Sequence, residues 1–486
     1  MEDSTSEDLN REQKLSQLQS LSINPYPSKS EKAFSIKDAH KMLDKEVSTA
    51  GRVFSIRSHG KSVFMDLSDS SGKIQIYFKL DEVGEENFKL LKMIDPGDII
   101  QVAGTVFKTH AGEITILVKE YKILSKALLP IPDKWYGLKD VETRYRKRYV
   151  DMLINEQVRK IFLIRADVIN NLRKYMIGNG FTEVETPILQ AIAGGAAAKP
   201  FITHYNILKQ DMYLRIAPEL YLKRLIVGGF EKVFEIGKNF RNEGLSHMHN
   251  PEFTMMEFYW AYQDYKGLMK FTEKLIPEVI EKTIGKLDVE YQGDVISFKP
   301  PYRTVTFKDL VLEDCGIDIF KYTDFDSLKK AIDEKGIKID YRDIKVWTKL
   351  VDELYKKVSR PKIVEPIFLI DHPIELTPLA KAHEDNPRVA QRFQLVCGKG
   401  IELVNAYTEL NNPIEQESRF KEQAKMSKQG WDESAMMDND FVEALKYGLP
   451  PTAGWGMGIE RIVMLLTDQH SIKEVIPFPT LKNKSD

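Results

Sequence analysis

KVFEIGKNFRNEGLSHMHNPEFTMMEFYWAYQDY, running from Lys232 to Tyr265, reads as one extended segment, a polar loop, and a second extended segment returning beside the first. The outgoing segment ends at Phe240 and Arg241. The loop carries Glu243, His247, His249 and Asn250, and the return carries Phe253, Glu257 and Tyr259. Side chains alternate faces along a strand, so Asn239, Arg241 and Glu243 share one face, as do Glu257 and Tyr259 on the return. A hairpin kept only for packing has no use for an arginine, several acids, two histidines and aromatic rings at its open end. A site that grips a polyanion does.

Working outward from the hairpin, the chain has 486 residues, too many for one ordinary core, and divides best into two or three units. Its 42% hydrophobic and 29% charged residues exclude a disordered or fibrous protein. A formal net charge of −2 gives no global signal for nucleic acid and leaves local basic patches open. The two cysteines, Cys315 and Cys397, argue against a disulfide framework or structural zinc and suit a reducing compartment. No apolar run reaches membrane-spanning length. The opening MEDSTSEDLNREQKL has neither the apolar core of a signal peptide nor the arginine-rich character of a transit peptide. A cytoplasmic enzyme is the expectation.

Residues 1–45 read as a polar N-terminal arm, loosely helical from Glu7 to Leu21 and stopped by Pro25 and Pro27. Five β-rich runs follow, VSTAGRVFSIRSHG, KSVFMDLSDSSG, KIQIYFKL, DIIQVAGTVFKTHAG and EITILVKEYKIL, with FKLDEVGEENFKLLKMI as one helical interruption. Five strands with a helix between the third and fourth is the order of an OB-fold barrel, placed here at residues 46–127. Arg57, Phe64 and Gln75 would offer a cation, a stacking ring and an amide to an unpaired base. The bland alternative puts Phe64 in the barrel core and Arg57 on a solvated edge. Residues 128–150 form a linker whose Arg144, Arg146, Lys147 and Arg148 read either as a solvated helix start or as a phosphate-contacting hinge. Residues 151–486 mix helices and strands as one α+β domain. An insertion at about 266–366 is expected to be mainly helical and shows no chemistry of its own.

Gly454, Gly456 and Gly458 precede Ile459-Glu460-Arg461 and the apolar helix IVMLLT. The spacing fits neither a dinucleotide-binding GxGxxG nor a GxxxxGK[ST] loop. Glycines suit a backbone that passes close to a ligand while Arg461 emerges at the turn. Two arginines from separate elements, Arg241 and Arg461, suit a nucleoside triphosphate, one at the α-phosphate and the other at the leaving end. In IELVNAYTEL, Glu402 and Glu409 alternate with apolar residues and fit Mg²⁺ or an ammonium group. Either acid alone is commonly just a solvated strand face.

FTEVETPIL, FRNEG…HNPEFTMMEFY and GWGMGIER resemble motifs 1, 2 and 3 of class II aminoacyl-tRNA synthetases, and the barrel-like N-terminal part is similar to that of subclass IIb. GGAAAKPF, YLRIAPELYLKRL, HNPEFTMMEFYWAY and NAYTELNNP resemble the lysyl-tRNA synthetases, over the chain from about Val47 onward. LLPIPDKWYGLKDVETRYRKRY and NAYTELN are similar to the eukaryotic type. The resemblance implies an antiparallel-sheet catalytic domain behind a five-stranded OB-fold barrel. It implies ATP, L-lysine and tRNA(Lys) as partners, Mg²⁺ with ATP, and a homodimer, and leaves membership of a larger multi-synthetase complex open.

By matched position, Arg241 would contact the α-phosphate and the substrate carboxylate. Phe253 and Arg461 would sandwich adenine, Glu243 would meet its edge, and His249 the phosphate tail, with Asn250 beside them. Gly195 and Glu219 would take the α-amino group. Glu257, Tyr259, Asn405, Tyr407 and Glu409 would shape the amino-acid pocket, with Tyr259 and Glu409 nearest the ε-ammonium. Glu402 would bind Mg²⁺, and Arg57, Phe64 and Gln75 match anticodon-reading positions. The chain departs from the family at Gln394, where RFQL replaces an acid that usually serves as a second metal ligand. One residue is added in VCGKGIE, and Glu460 stands where aspartate is common. A neutral amide is a weaker Mg²⁺ ligand, so the metal count stays open. A pocket of Glu219, Glu257 and Glu409 with no spare cation suits a second ammonium group, whereas an aspartate pocket would want an arginine or lysine. The competing readings are an aspartyl or asparaginyl enzyme, and a regulatory paralogue that binds ATP or RNA without charging tRNA.

Overall fold

The computed structural model describes residues 6–132, 138, 140–196, 198–342, 344–428 and 437–483, without the side chains of 6–9 and 424–428. The DKWYG portion of the linker, 133–137, lies outside the described residues. The chain forms two compact units, Met1–Lys139 and Asp140–Asp486.

The first unit is a closed barrel of β1 (Glu46–His59), β2 (Ser62–Asp69), β3 (Gly72–Lys79), β4 (Ile99–Lys108) and β5 (Ile114–Ser125), in the order β1-β2-β3-β5-β4. Alternation fixes what faces inward. Val63, Met65 and Leu67 of β2 and Ile74, Ile76 and Phe78 of β3 are buried, while Phe64 and Gln75 take the outward positions between them. Asp69 accepts the Ser71 N–H at 2.7 Å and closes the expected hairpin. Two short helices, Leu80–Val83 and Glu85–Leu90, fill the interruption before β4. Closing the barrel brings β4 against β5 so tightly that a Cβ at Gly104 would lie 2.0 Å from the Leu117 carbonyl oxygen. The arm is fastened down. Its helix Ser6–Ser20 buries Leu18 in the barrel core and sets Lys14 Nζ 2.5 Å from Asp95.

The strands of the second unit are β6 (Thr182–Glu183), β7 (Leu189–Gln190), β8 (Ile202–Tyr205), β9 (Gln210–Leu214), β10 (Lys232–Phe240), β11 (Glu252–Ala261), β12 (Asp288–Tyr291), β13 (Asp294–Ser297), β14 (Arg303–Thr306), β15 (Ile367–Ile370), β16 (Arg392–Cys397), β17 (Ile401–Thr408) and β18 (Thr452–Gly458). Eight of them make one sheet in the order β14-β15-β16-β17-β18-β11-β10-β6, antiparallel except at its two edge pairs. The hairpin that opened the sequence reading is β10–β11, with Glu235 opposite Glu257 and Asn239 opposite Phe253.

The same strands carry core and site on alternate residues. Phe258, Trp455, Ala406 and Phe393 form one cross-strand row, and Met256, Met457, Val404 and Leu395 another. Both rows are buried against the helices Glu156–Gly178, Tyr265–Ile284 and Ile459–Leu466. Each large side chain there contributes roughly 2–3 kcal/mol of burial. Trp455 also donates its Nε1–H to Thr272 Oγ1 at 3.0 Å. The rows between them face the other way. One is Glu257, Gly456, Asn405 and Gln394, and the next is Tyr259, Gly454, Tyr407 and Arg392.

The segment expected to be a mainly helical insertion is more varied. The helix Tyr265–Ile284 packs in the main core, β12–β13 is a hairpin, and β14 extends the main sheet. The turn Gln292-Gly293, with φ of 49° and 85°, is the signal that sequence reading passed over. Only the helices Phe307–Cys315, Phe325–Glu334 and Trp347–Val358 gather around a smaller core of their own.

Candidate active site

The glycines of β18 form the floor of the site. A Cβ at Gly454 would lie 2.1 Å from Glu409 Oε1 and 2.5 Å from Tyr259 Cε1, so a bare backbone is needed there. Trp455 and Met457 point into the core between the glycines, which explains the GWGMG spacing. The helix Ile459–Leu466 then starts and delivers Arg461, whose Nη1 donates to the Glu402 carbonyl oxygen at 2.7 Å. Glu460 is tied into the scaffold. It pairs with Arg165 at 2.8 Å and accepts the Thr254 N–H at 3.0 Å, fastening this turn to the hairpin.

Two cavities of about 570 and 260 Å³ share Arg241, Glu243, Glu402, Asn405 and Gly456 and form one continuous groove. In the smaller, Phe253, His249, Asn250 and Arg461 surround the space at the open end of the hairpin. The Arg241 guanidinium lies 5.1 Å from the Phe253 ring centre, and the Arg241 N–H donates to Pro251 O at 2.8 Å, holding the loop shut. Asn250 donates Nδ2–H to Glu252 O at 2.6 Å, and His249 Nδ1 lies 2.9 Å from Ser246 Oγ. Burial, helped by Arg461, Arg241 and Arg360, holds the His249 pKa below its ordinary value, so the ring is neutral at physiological pH. His247 serves the scaffold by stacking on His470 at 5.0 Å and accepting the Ile472 N–H.

The larger cavity is the acidic end. Glu219 opens the helix Glu219–Val227 and accepts the Tyr407 hydroxyl at 2.9 Å. Gly195 faces it with φ +87°, where a Cβ would come 2.9 Å from Glu219 Cβ. Tyr259 donates its hydroxyl to Glu257 at 3.3 Å, and Asn405 Oδ1 accepts from Arg392 Nε at 2.8 Å. The expectation of no spare cation is corrected. Lys223, one turn after Glu219, is fully buried, with Nζ 2.5 Å from Glu219 and in contact with the Glu409 carboxylate. Burial alone would discharge Lys223, but Glu219 and Glu409 outweigh it and hold the ammonium above its usual pKa. Glu219 and Glu409 therefore face one ammonium, while Glu257 is bonded to Tyr259. Burial and the neighbouring Glu219 push Glu257 up to about 8, against the pull of Arg241 and the Tyr259 hydrogen bond. Burial also raises Glu409, against the pull of Lys223.

The residues that would hold a metal are Glu402 and Gln394, and they are unequal. Gln394 Oε1 is 3.0 Å from the ring nitrogen Nε2 of buried His372, so its amide is already engaged. Among the described residues no group of three or more His, Cys, Asp or Glu is arranged around a metal position. Glu402 fits a Mg²⁺ that is held mainly by phosphate oxygens and water, which is how this hard, reluctantly dehydrating ion commonly binds nucleotides.

On the barrel, Arg57 lies opposite Phe64, and Phe64 lies opposite Tyr77, all on the outward face. Phe64 is therefore not barrel core. It stacks on Tyr77 with ring centres 4.4 Å apart, and Phe107 lies 6.4 Å beyond. Arg57 is paired with Asp66 at 3.1 Å, and Gln75 bridges Glu113 and Thr115. Tyr77 was missed by sequence reading, although its alternation with Phe78 put it on the same face as Gln75. The linker arginines are no phosphate hinge. Arg144 and fully buried Arg148 pair with Asp151 and Glu474, and Arg146 pairs with Glu142.

An eight-stranded, mostly antiparallel sheet with arginines from a hairpin and from a glycine-floored strand–helix turn is matched by a family model. Residues 140–482 match the class II tRNA synthetases (D, K and N), and residues 47–124 match an OB-fold nucleic-acid-binding domain. The chain belongs to the class II tRNA synthetase family. It is 47% identical over 488 residues to a lysine–tRNA ligase of Thermotoga maritima, covering 98% of this chain and 96% of the relative. It is 46% identical to that of Pelotomaculum thermopropionicum, with 98% and 96% covered. It is 50% identical to that of Aquifex aeolicus over 90% of this chain and 73% of the relative. None of these organisms is a eukaryote, so the eukaryotic lean of the linker motif finds no support among them.

Proposed function

We propose that this chain is a lysine–tRNA ligase, activating L-lysine with ATP to lysyl-adenylate and pyrophosphate and then passing lysine to the 3′ end of tRNA(Lys) for protein synthesis. The observation that carries the reading is the continuity of an acidic pocket (Glu219, Glu257, Glu409) with a groove lined by Arg241 and Arg461. In the first step a lysine carboxylate oxygen attacks the α-phosphorus in line, and pyrophosphate leaves. Arg241, at the junction, holds the carboxylate and the α-phosphate and meets the charge that develops there. Phe253 and Arg461 sandwich adenine, Glu243 meets its edge, and His249 and Arg461 lie along the phosphate tail, with Asn250 bracing the loop. Gly195 and Glu219 take the α-ammonium. Tyr259 and Glu409 take the ε-ammonium, and Glu257, Asn405 and Tyr407 shape the pocket. Mg²⁺, bound with ATP at Glu402, would neutralise phosphate charge. In the second step the terminal ribose hydroxyl of tRNA attacks the adenylate carbonyl and AMP leaves. Positioning and electrostatics carry both steps, with no general base assigned.

The proposal assigns catalysis to residues 151–486 and anticodon reading to the outward face of the barrel (46–127), through Arg57, Phe64 and Gln75, with the arm 1–45 packed on it and residues 128–150 as linker. It also makes the protein a cytoplasmic homodimer. Exposed Leu163 and Ile177 on the helix Glu156–Gly178, with Ile188 and Leu189 nearby in sequence to β6, support a subunit interface there.

The test is pyrophosphate exchange with lysine, aspartate and asparagine, followed by charging of tRNA transcripts with native and altered anticodons. Exchange driven by aspartate or asparagine but not lysine sinks the reading. Adenylate formation without transfer to tRNA favours the regulatory paralogue. Lysine binding should also release protons at about pH 7, because two incoming ammonium groups draw Glu257 and Glu409 towards their ionised forms. Affinity then rises with pH until Glu257 is ionised in the free enzyme, at about 8. Titration calorimetry in two buffers of different ionisation enthalpy counts the protons, and proton uptake or no exchange refutes the assignment.

A further inference from the structure

We infer that Arg360 is a fixed cation for the β,γ-phosphate end of ATP and for the departing pyrophosphate, complementing a site in which Gln394 has replaced an acid. The inference rests on the reading of the groove as an ATP site.

Arg360 lies at the end of the segment that showed no chemistry in sequence, in the short helix Arg360–Lys362 after Trp347–Val358. It is gripped by the turn between β16 and β17. Arg360 Nε donates to Gly400 O at 2.7 Å, Gly400 N–H donates to Ile363 O at 3.1 Å, and Gly398 N–H donates to Val364 O at 2.8 Å. Gly400 has φ +90°, and a Cβ there would lie 2.5 Å from Arg360 Cγ. This is the turn that carries the added residue of VCGKGIE. The departure from the family and the seating of the arginine are thus one structural feature.

The grip uses Nε, and among the described residues neither terminal nitrogen makes a hydrogen bond. Among the described residues the Arg360 guanidinium makes this single hydrogen bond and no ion pair. It lines the larger of the two cavities, together with Arg392, Gln394 and Glu402. Its charge is close enough to help hold His249 below its ordinary pKa, behind the larger effects of burial, Arg461 and Arg241. An arginine held by its stem sets a permanent positive charge in the groove, and a phosphate is drawn to that charge. Replacing a carboxylate by Gln394 removes one negative charge, and Arg360 adds one positive charge. Both changes shift the work of neutralising the phosphate tail from a second divalent ion to the protein.

The experiment uses full-length Arg360→Met, which keeps the stem that packs on Gly400. Pyrophosphate and AMP binding are measured by calorimetry in EDTA, without metal or amino acid. Pyrophosphate affinity should fall at least about tenfold while AMP, which lacks the tail, stays within about twofold. Arg360→Lys, keeping the charge, should stay within about threefold of wild type for pyrophosphate. In lysine-dependent exchange the Mg²⁺ needed for half-maximal rate should rise in Arg360→Met. Unchanged pyrophosphate affinity in EDTA overturns the inference. Should Arg360→Met lose AMP binding too, Arg360→Lys decides, and a tenfold loss of pyrophosphate affinity there overturns it. A wild-type protein that fails lysine-dependent exchange would instead remove the ligase reading, which the EDTA titration does not depend on.

Discussion

Arg241→Ala should slow lysine-dependent adenylate formation by at least about 10³-fold while the KM for ATP moves only a few-fold. Among the described residues Arg241 is the one arginine lining both the acidic cavity and the nucleotide cavity. It is therefore placed to touch both reacting groups, the lysine carboxylate and the α-phosphate. On the proposed assignment ATP keeps its other holds at Phe253, His249 and Arg461, so ground-state binding survives. What is lost is stabilisation of charge that exists only as the new P–O bond forms. The Arg241 guanidinium already lies over the Phe253 ring, 5.1 Å from its centre. Arg241→Lys should rescue little, because an ammonium cannot present a planar fork to two oxygens. Single-turnover formation of lysyl-adenylate is the measurement. A loss below about tenfold would take Arg241 out of this role.

Much of this site was legible because strands state their faces. Glu257 and Tyr259 alternate with Met256 and Phe258, and Gly454 and Gly456 alternate with Trp455 and Met457, so the site row could be read from the pattern. The barrel was legible for the same reason. Lys223 was not. In ELYLK it is a helical i, i+4 partner of Glu219, a pairing that usually means a solvated salt bridge. Its meaning depends on Glu409, far along the chain, which arrives only when β17 packs over the helix. Arg360 was hidden in a different way. It sits in no periodic element, and its role depends on a glycine turn forty residues later. The linker run left two readings open, a solvated helix start and a phosphate-contacting hinge, because its partners Asp151 and Glu474 could not be read from the sequence.

Glu409→Gln should raise the KM for lysine at least about 100-fold, with ATP binding little changed. The substitution removes a charge from a buried pocket and leaves Lys223, still cationic through Glu219, beside the place the ε-ammonium must enter. Two ammonium groups would then share one nearby carboxylate. Lys223→Met tests the other half of the pair. It leaves Glu219 and Glu409 buried without their countercharge, a change that typically costs about 3–5 kcal/mol. The sign with pH follows from the raised pKa of Glu409. The folded variant retains protons that the unfolded chain gives up above the ordinary glutamate range, so stability falls as pH rises. Lys223→Met should therefore melt further below wild type at about pH 8 than at about pH 5. The double variant Lys223→Met/Glu409→Gln separates the two roles. It removes opposite charges together, so its stability should recover towards wild type while lysine KM stays high. Recovery of lysine selection in the double variant would mean that Lys223, not the ε-ammonium, is what Glu409 is there to meet.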